Sequence, residues 1–197
     1  MILRSLFYRP KQTQAIHVDY NSLRLIRPDA RYFSSFRDSY REYRAHKVED
    51  FGYYKVDTFR DFNRFLTMSD EMRRGVNLSA SSVQTSMFWL VDGQHYLGSG
   101  SLRHYLNDYL RTFGGHIGYS IRPAAWGQGL GTLQLHLLLL EAKKIGLTRA
   151  RLTCFEHNAA SQRVMEKNGA QRIDRVVNRI SGKDRPTFIY EIDLTDF

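Results

Sequence analysis

Three glycines at alternate positions form the part of the chain whose residue types and spacing best suit chemistry. They lie in GYSIRPAAWGQGLGT, from Gly118 to Thr132, where an apolar alternating strand passes through a proline turn into a loop that opens a long helix. The first N–H groups of a helix lack internal partners and carry the positive end of its dipole. Because Gly127, Gly129 and Gly131 have no side chain, a pyrophosphate can approach those groups closely. The pattern predicts a phosphate-binding loop.

Glycines at this spacing also occur in other nucleotide-binding folds and in turns that bind no ligand. A nucleotide-hydrolysing P-loop ends in Gly-Lys-Ser/Thr, whereas Gly131 is followed directly by Thr132, so that class is disfavoured. Dinucleotide folds carry their fingerprint at the first strand of the domain, and this loop lies two-thirds of the way along the chain. A tight strand-to-helix turn without a ligand remains the alternative.

A second motif lies downstream of the glycine loop. Residues 152–155 form a run typical of a strand, and Asn158-Ala159-Ala160-Ser161 then opens a short helix that ends at Lys167-Asn168-Gly169-Ala170. In this order and spacing the two motifs resemble the GCN5-related N-acetyltransferase (GNAT) superfamily, whose loop reads Arg/Gln-x-x-Gly-x-Gly/Ala. The resemblance is clear over residues 84–195, and GGHIGYSIRP before the loop is similar to a bacterial subgroup of predicted acetyltransferases.

The resemblance implies a reaction, a co-substrate and a set of residues that bind it. The reaction is direct acetyl transfer from acetyl-coenzyme A (acetyl-CoA) to a primary amine. Backbone N–H groups of residues 126–132 would bind the pyrophosphate, the strand ending at Ile121 would pair with the pantetheine arm, and the next helix start would contact the co-substrate from the other side. The implied residues are Ile121, Trp126, Gly127, Gln128, Gly129, Leu130, Gly131, Thr132, Asn158 and Ser161. For Asn158, a plain helix N-cap is the other interpretation.

Two positions depart from the family pattern. The first loop position, usually Arg or Gln, is Trp126, which removes one possible ion pair with a phosphate. The position that often holds a tyrosine, the acid that protonates the departing thiolate, is Met165. These departures support a second hypothesis, a CoA-binding sensor or degenerate module without efficient turnover.

A base would accelerate the reaction, because an alkylamine with a pKa near 10.4 is mostly protonated at neutral pH and must lose a proton. We predict His116 as the base, since it lies on the predicted strand that leads to the loop and histidine titrates near neutrality. A structural histidine in the sheet is the alternative, and His104, His157 and Glu191 are weaker candidates for the base. Tyr119 is predicted as the acid, and departure of the thiolate with a proton taken from water is the alternative. By the resemblance, a backbone N–H near Tyr119 would hydrogen-bond the thioester carbonyl.

Composition limits the remaining possibilities. The net charge of +9 suits a nucleic-acid partner, an acidic ligand such as CoA, or a solvated basic surface, and because the cations are scattered we favour the last. Nucleic-acid binding is disfavoured, since it would leave the glycine motif unexplained. The chain has one cysteine and no apolar run long enough to span a membrane, which predicts a cytoplasmic protein. It has no metal-ligand motif, so no metal site is predicted. A small-molecule acceptor is slightly favoured over a peptide or protein amine, which stays open, as does a homodimer.

The periodicity predicts an α/β (α+β) fold in one domain, residues 1–197, with residues 1–20 as an N-terminal extension, and the resemblance implies that this is the GNAT fold. We expect a single mixed, mostly antiparallel sheet of six to seven strands with helices on both faces. Asp92-Gly93 predicts a hairpin turn, Gly75 a helix end, and residues 49–54 a loop beside the acceptor. The predicted strands are 23–26, 86–91, 94–102, 115–121, 150–155, 171–180 and 187–194, and the predicted helices are 30–47, 58–74, 129–145 and 159–167.

Overall fold

The computed structural model describes residues 15–46, 48, 61–195 and 197. The predicted loop at 49–54 and the predicted start of the second helix at Thr58 lie outside these residues.

Within these residues, seven strands form two hydrogen-bonded sheets, and every ladder is antiparallel. The first sheet has the order β1-β2-β3-β4, with β1 Arg24–Ile26, β2 Thr85–Val91, β3 Tyr96–Arg103 and β4 Ile117–Ile121. The second has the order β5-β7-β6, with β5 Arg149–Phe155, β6 Gln171–Ile180 and β7 Lys183–Asp193. The predicted fold class and strand number are confirmed, with the one refinement that the sheet divides between β4 and β5.

Five α-helices accompany the sheets in the described part of the chain. They are α1 Phe33–Ala45, α2 Phe62–Arg74, α3 Asp108–Thr112, α4 Leu130–Lys144 and α5 Ala159–Lys167. Helix α3 was not predicted, because five residues are too few to show a helical period. Strand β7 begins at Lys183 rather than at 187, since the turn before it needs only Ser181 and Gly182, both at positive φ. Within the described ranges, no helix is long and apolar enough to span a bilayer.

Helices α1 and α2 cover one face of the first sheet with an aromatic cluster. Phe36 of α1 packs against Trp89 of β2 with ring centroids 4.9 Å apart. Asp61 caps α2 by accepting a hydrogen bond from the backbone N–H of Arg64, and Gly75 ends it at φ +72°, as predicted. These contacts fix α1 above β3 and beside the loop that follows β4.

Helix α4 covers the opposite face and carries the glycine loop at its N-terminus. Leu135, Leu138 and Leu139 are fully buried against both sheets. Gly100 of β3 allows this approach, because a Cβ there would lie 2.6 Å from a methyl carbon of Leu138. The close packing holds the start of α4 at the end of β4, where the site lies.

Candidate active site

The two sheets are joined at the start of β4 and separate beyond it. The His116 N–H donates to the Arg151 carbonyl (2.6 Å), and the Arg151 N–H donates to His116 Nδ1 (2.9 Å). At Gly115, φ is +61° and a Cβ would lie 2.3 Å from the Arg151 oxygen, so only glycine fits. Among the described residues no ladder connects β4 to β5. The strands therefore border a cleft that is closed at its His116 end.

The edge of β4 that borders this cleft presents backbone groups. At one end of the ladder with β3, the Arg122 N–H donates to the Leu97 carbonyl; at the other end, the His116 carbonyl accepts from the Arg103 N–H. Because backbone groups alternate in direction along a strand, those of Ile117, Tyr119 and Ile121 point toward the cleft. Their side chains pack toward α4 instead. The strand edge expected for the pantetheine arm is present.

The glycine loop carries a run of backbone N–H groups that are open to a ligand. Gly127 and Gly129 adopt φ +76° and +75°, and a Cβ at either position would meet nothing within 4 Å. The N–H groups of Thr132 and Leu133 donate to the Gly129 carbonyl, whereas those of residues 127–131 have no partner in the described part of the chain. Five unpaired N–H groups at the N-terminus of a fifteen-residue helix suit an anion such as a phosphate.

Several residues of the predicted co-substrate loop have side chains that make structural contacts. Gly131 allows helix packing, since its Cβ would lie 3.3 Å from Val164 of α5. Leu130 is buried in the core, so its N–H alone faces the loop. The Gln128 amide donates to the Ile16 carbonyl (3.3 Å), and the carbonyl of Thr132 accepts from the Asn168 side chain (3.2 Å). The geometry thus favours backbone groups as the loop's anion ligands.

Trp126 stands at the mouth of the cleft. Its indole N–H donates to the Ile121 carbonyl (2.6 Å), and its ring lies edge-on to His46 of α1 with centroids 5.2 Å apart. The side chain nevertheless remains 47% exposed. The residue that departs from the family pattern therefore occupies the last backbone acceptor of the β4 edge.

A buried ion pair under the loop was missed by sequence reasoning. Arg122, only 4% exposed, pairs with Glu42 of α1 and also donates to the Tyr96 carbonyl (3.0 Å) and the Ser35 hydroxyl (2.9 Å). Glu42 in turn accepts from the Ala124 N–H (3.1 Å). This network fixes the turn that precedes the glycines. The only signal in the sequence is an arginine directly before a proline.

On the far side of the cleft, the start of α5 meets Tyr119. Asn158 caps the helix by accepting from the Ser161 N–H (3.0 Å), as its cap interpretation predicts. The Ser161 hydroxyl lies 2.9 Å from the Tyr119 hydroxyl, so two predicted site residues are in contact across the cleft. Burial raises the pKa of Tyr119, which keeps this phenol protonated at neutral pH. Met165 is fully buried in the core.

His116 has the wrong environment for a base that titrates near neutrality. Burial, followed by the charges of Arg151, Arg103 and Arg111, lowers the pKa of His116 to about 4. Its Nδ1 already accepts a hydrogen bond, so the imidazole is neutral and fixed at the junction of the sheets. The geometry favours the structural alternative, and the catalytic role of His116 stays a prediction.

The weaker candidates for the base are placed elsewhere. His104 lies 2.9 Å from the Ser86 hydroxyl, and His157 stacks on Phe155 at the surface. Glu191 pairs with Arg151 (2.6 Å). Burial raises the pKa of the single cysteine, Cys154, to about 11, so its thiol is protonated. Within the described ranges, no three His, Cys, Asp or Glu side chains are grouped to hold a metal.

Two splayed sheets with an anion-binding helix start between them are the architecture of an acyltransferase that uses a CoA thioester. A family model described as an acetyltransferase (GNAT) domain matches residues 37–171. The chain therefore belongs to the GNAT acetyltransferase family, and the prediction of an acyltransferase is confirmed at that level. No curated protein sequence matches the chain.

Solved structures share the fold at low sequence identity. The ribosomal-protein-S5-alanine acetyltransferase from Vibrio fischeri superposes with a TM-score of 0.70 at 15% identity, covering 92% of this chain and 98% of its own. YncA from Salmonella typhimurium, with its cofactor acetyl-CoA, gives 0.62 at 18% identity, covering 90% and 96%. RimL, a ribosomal L7/L12 acetyltransferase in complex with CoA, gives 0.66 at 16% identity, covering 91% and 98%.

Proposed function

We propose that this protein is an N-acetyltransferase that transfers the acetyl group of acetyl-CoA directly to a primary amine. The observation that carries the proposal is the array of unpaired N–H groups at residues 127–131, at the open end of a cleft bordered by the β4 backbone. The two outward glycines leave room for a diphosphate. The fold of solved acetyl-CoA and CoA complexes supports the same co-substrate.

Each part of acetyl-CoA has candidate partners among the backbone groups of the cleft. Loop N–H groups would bind the diphosphate, and the backbone of Ile117 and Tyr119 would hydrogen-bond the pantetheine amides and the thioester carbonyl. When bound, acetyl-CoA supplies an activated acetyl group. Trp126 must release the Ile121 carbonyl if that oxygen is to accept from the co-substrate, or it stays and replaces that contact.

We assign proton donation to the hydroxyl pair of Tyr119 and Ser161. The two hydroxyls lie at hydrogen-bond distance across the cleft, and the phenol of Tyr119, whose pKa is raised by burial, carries its proton at pH 7. The pair occupies the role that Met165 cannot fill. Without a base of pKa near 7, the acceptor is used in its neutral form, roughly one molecule in 2,500 at pH 7 for an amine of pKa 10.4.

A small molecule remains the proposed acceptor, with a peptide amine as the alternative. The V. fischeri neighbour and RimL are named as acetyltransferases of ribosomal proteins, which supports the alternative. Arg103, Arg111 and Arg151 surround His116 at the closed end of the cleft, so an acidic acceptor of either kind would be favoured. We also propose a cytoplasmic, single-domain protein.

Thermal-shift titration with acetyl-CoA, CoA and NAD tests the co-substrate. A ligand at about 100 times its Kd stabilises the fold by about 2.7 kcal/mol. The wild type should be stabilised by both CoA species and not by NAD, and Gly129→Glu should lose the effect. Gly146→Glu is the matched control, because Gly146 also has positive φ and open space around it but lies at the other end of α4. No stabilisation of the folded wild type would refute the proposal.

The second candidate is a CoA-binding module without efficient turnover. The buried Met165 and the low pKa of His116 favour it. Release of free CoA thiol, measured over a panel of acidic, neutral and basic amines, separates the two candidates. Binding without release on the whole panel would favour the module.

A further inference from the structure

The N-terminal segment, residues 15–22, lies along the glycine loop. The Ile16 N–H donates to the Ala124 carbonyl (3.0 Å), and the Gln128 side chain donates back to the Ile16 carbonyl (3.3 Å). Val18 is buried in one cluster with Ala125 and Leu130. The segment is therefore anchored on both sides of the loop by its backbone and by an apolar side chain.

Tyr20 makes the contact that matters for the loop's conformation. Its hydroxyl donates to the Gln128 carbonyl at 2.8 Å, although the ring is 56% exposed. Asp19 caps the short 3-10 turn that carries Tyr20, by accepting from the Asn21 N–H (3.0 Å) and from the Ser22 hydroxyl (2.7 Å). The capped turn thus fixes the position of Tyr20, and the hydrogen bond from its hydroxyl to the Gln128 carbonyl connects it to the loop.

The Gln128 carbonyl controls the direction of the next N–H group. In a planar trans peptide the C=O of one residue and the N–H of the next point in opposite directions. A carbonyl held by Tyr20 therefore directs the Gly129 N–H to the opposite side, among the other unpaired groups of the loop. Glycine at 129 accepts positive and negative φ almost equally, so without the tie this peptide can turn over at little cost.

We propose that Tyr20 is a positioning residue, which preorganises the Gln128–Gly129 peptide so that the Gly129 N–H is available to a phosphate of the co-substrate. The inference rests on the proposed function for the identity of the ligand. It assigns a role in co-substrate affinity to the N-terminal segment, which precedes the residues matched by the family model.

Tyr20→Phe tests the proposal, with Tyr105→Phe as the matched control because Tyr105 is similarly exposed. Loss of one hydrogen bond that aligns a ligand group should raise the KM and the calorimetric Kd for acetyl-CoA about three- to tenfold. The kcat at saturating acetyl-CoA and the melting temperature should stay near the wild-type values. A purely structural tyrosine would instead lower the melting temperature and leave KM unchanged.

A second readout does not depend on the ligand. In spectra of protein labelled with ¹⁵N-glycine, Tyr20→Phe should shift or broaden the Gly129 amide signal, and Tyr105→Phe should not. Wild type that binds no CoA, together with a shifted Gly129 signal, would refute the proposed function and leave the preorganised peptide supported. Equal acetyl-CoA affinity in the wild type and Tyr20→Phe would overturn the inference itself.

Discussion

The His116 imidazole accepts a hydrogen bond from the backbone N–H of Arg151, and this bond joins the two sheets where the cleft closes. The bond requires an unprotonated Nδ1. The histidine that most resembles a catalytic base in the sequence is thereby part of the scaffold of the cleft.

Stability should depend on pH through His116. Its pKa is lowered to about 4 in the folded protein, against an ordinary value of 6.5, so between these values the unfolded chain binds more protons. The contribution of neutral His116 to the free energy of unfolding is complete above pH 6.5 and decreases as the pH falls toward 4. We expect the melting temperature to fall across this window, and to fall less in His116→Asn. Equal slopes in both proteins would contradict the assignment.

The pH dependence of the rate should reflect the amine rather than the enzyme. Since His116 titrates near 4, log kcat/KM should rise with a slope near one from about pH 6 toward the acceptor's pKa. Steady-state assays with two amines of different pKa provide the measurement. A plateau that begins near pH 7 with both amines would reveal a protein base and exclude direct use of the neutral amine.

Removing the Tyr119 hydroxyl should slow turnover without weakening co-substrate binding. Tyr119→Phe and Ser161→Ala each break the hydroxyl pair, and we expect kcat to fall at least about tenfold in both, while Tyr119→Phe retains the Kd for CoA. Tyr190→Phe is the control, because that tyrosine is buried but bonds Glu166 instead. If kcat is unchanged in both variants, the thiolate leaves without assistance from this pair.

The ion pair between Arg122 and Glu42 should show strong energetic coupling. Arg122→Met leaves a buried carboxylate without its cation and should cost about 3–5 kcal/mol of unfolding free energy, whereas adding Glu42→Met should recover part of the loss. Urea denaturation of the four members of the cycle measures this. Arg31→Met, which breaks an exposed pair with Asp29, should change stability by about 1 kcal/mol or less.

Gln134 of α4 is expected to destabilise the fold. It is fully buried, and neither polar atom of its side chain has a hydrogen-bond partner in the described part of the chain. Gln134→Met preserves the length of the side chain and should stabilise by about 1–3 kcal/mol. Gln162→Met, at a glutamine that donates to the Glu156 carbonyl, should not stabilise. A lower melting temperature for Gln134→Met would show that the amide is satisfied in solution.

Features with a local cause were predictable from the sequence. Gly75 as a helix end, Asn158 as a helix cap and the glycine loop each depend on neighbouring residues, and the structure places all three as expected. The bounds of α4 and α5 were right to within one residue, because Gly129 and Gly146 flank the first helix and Asn158 and Asn168 flank the second.

Features that depend on distant residues were not predictable. Glu42 and Arg122 are 80 positions apart, and Tyr20 and Gln128 are 108 apart. Contacts over such separations cannot be predicted from the spacing of residues in the sequence. The side-chain type of His116 suited a base, but its environment is set by Arg151, 35 residues downstream. Chemical type can be read from the sequence, whereas the pKa follows from burial and charges that only the fold assembles.

The placement of the two tryptophans provides a natural pair of optical probes. Trp89 is fully buried in the aromatic cluster beside Phe36, so its emission reports unfolding of the first sheet. Trp126 is half exposed at the mouth of the cleft and touches Ile121 and His46, so its emission should respond to a bound molecule instead. In Trp89→Phe, Trp126 is the one remaining tryptophan, so its fluorescence would report whether a ligand occupies the cleft without any attached dye.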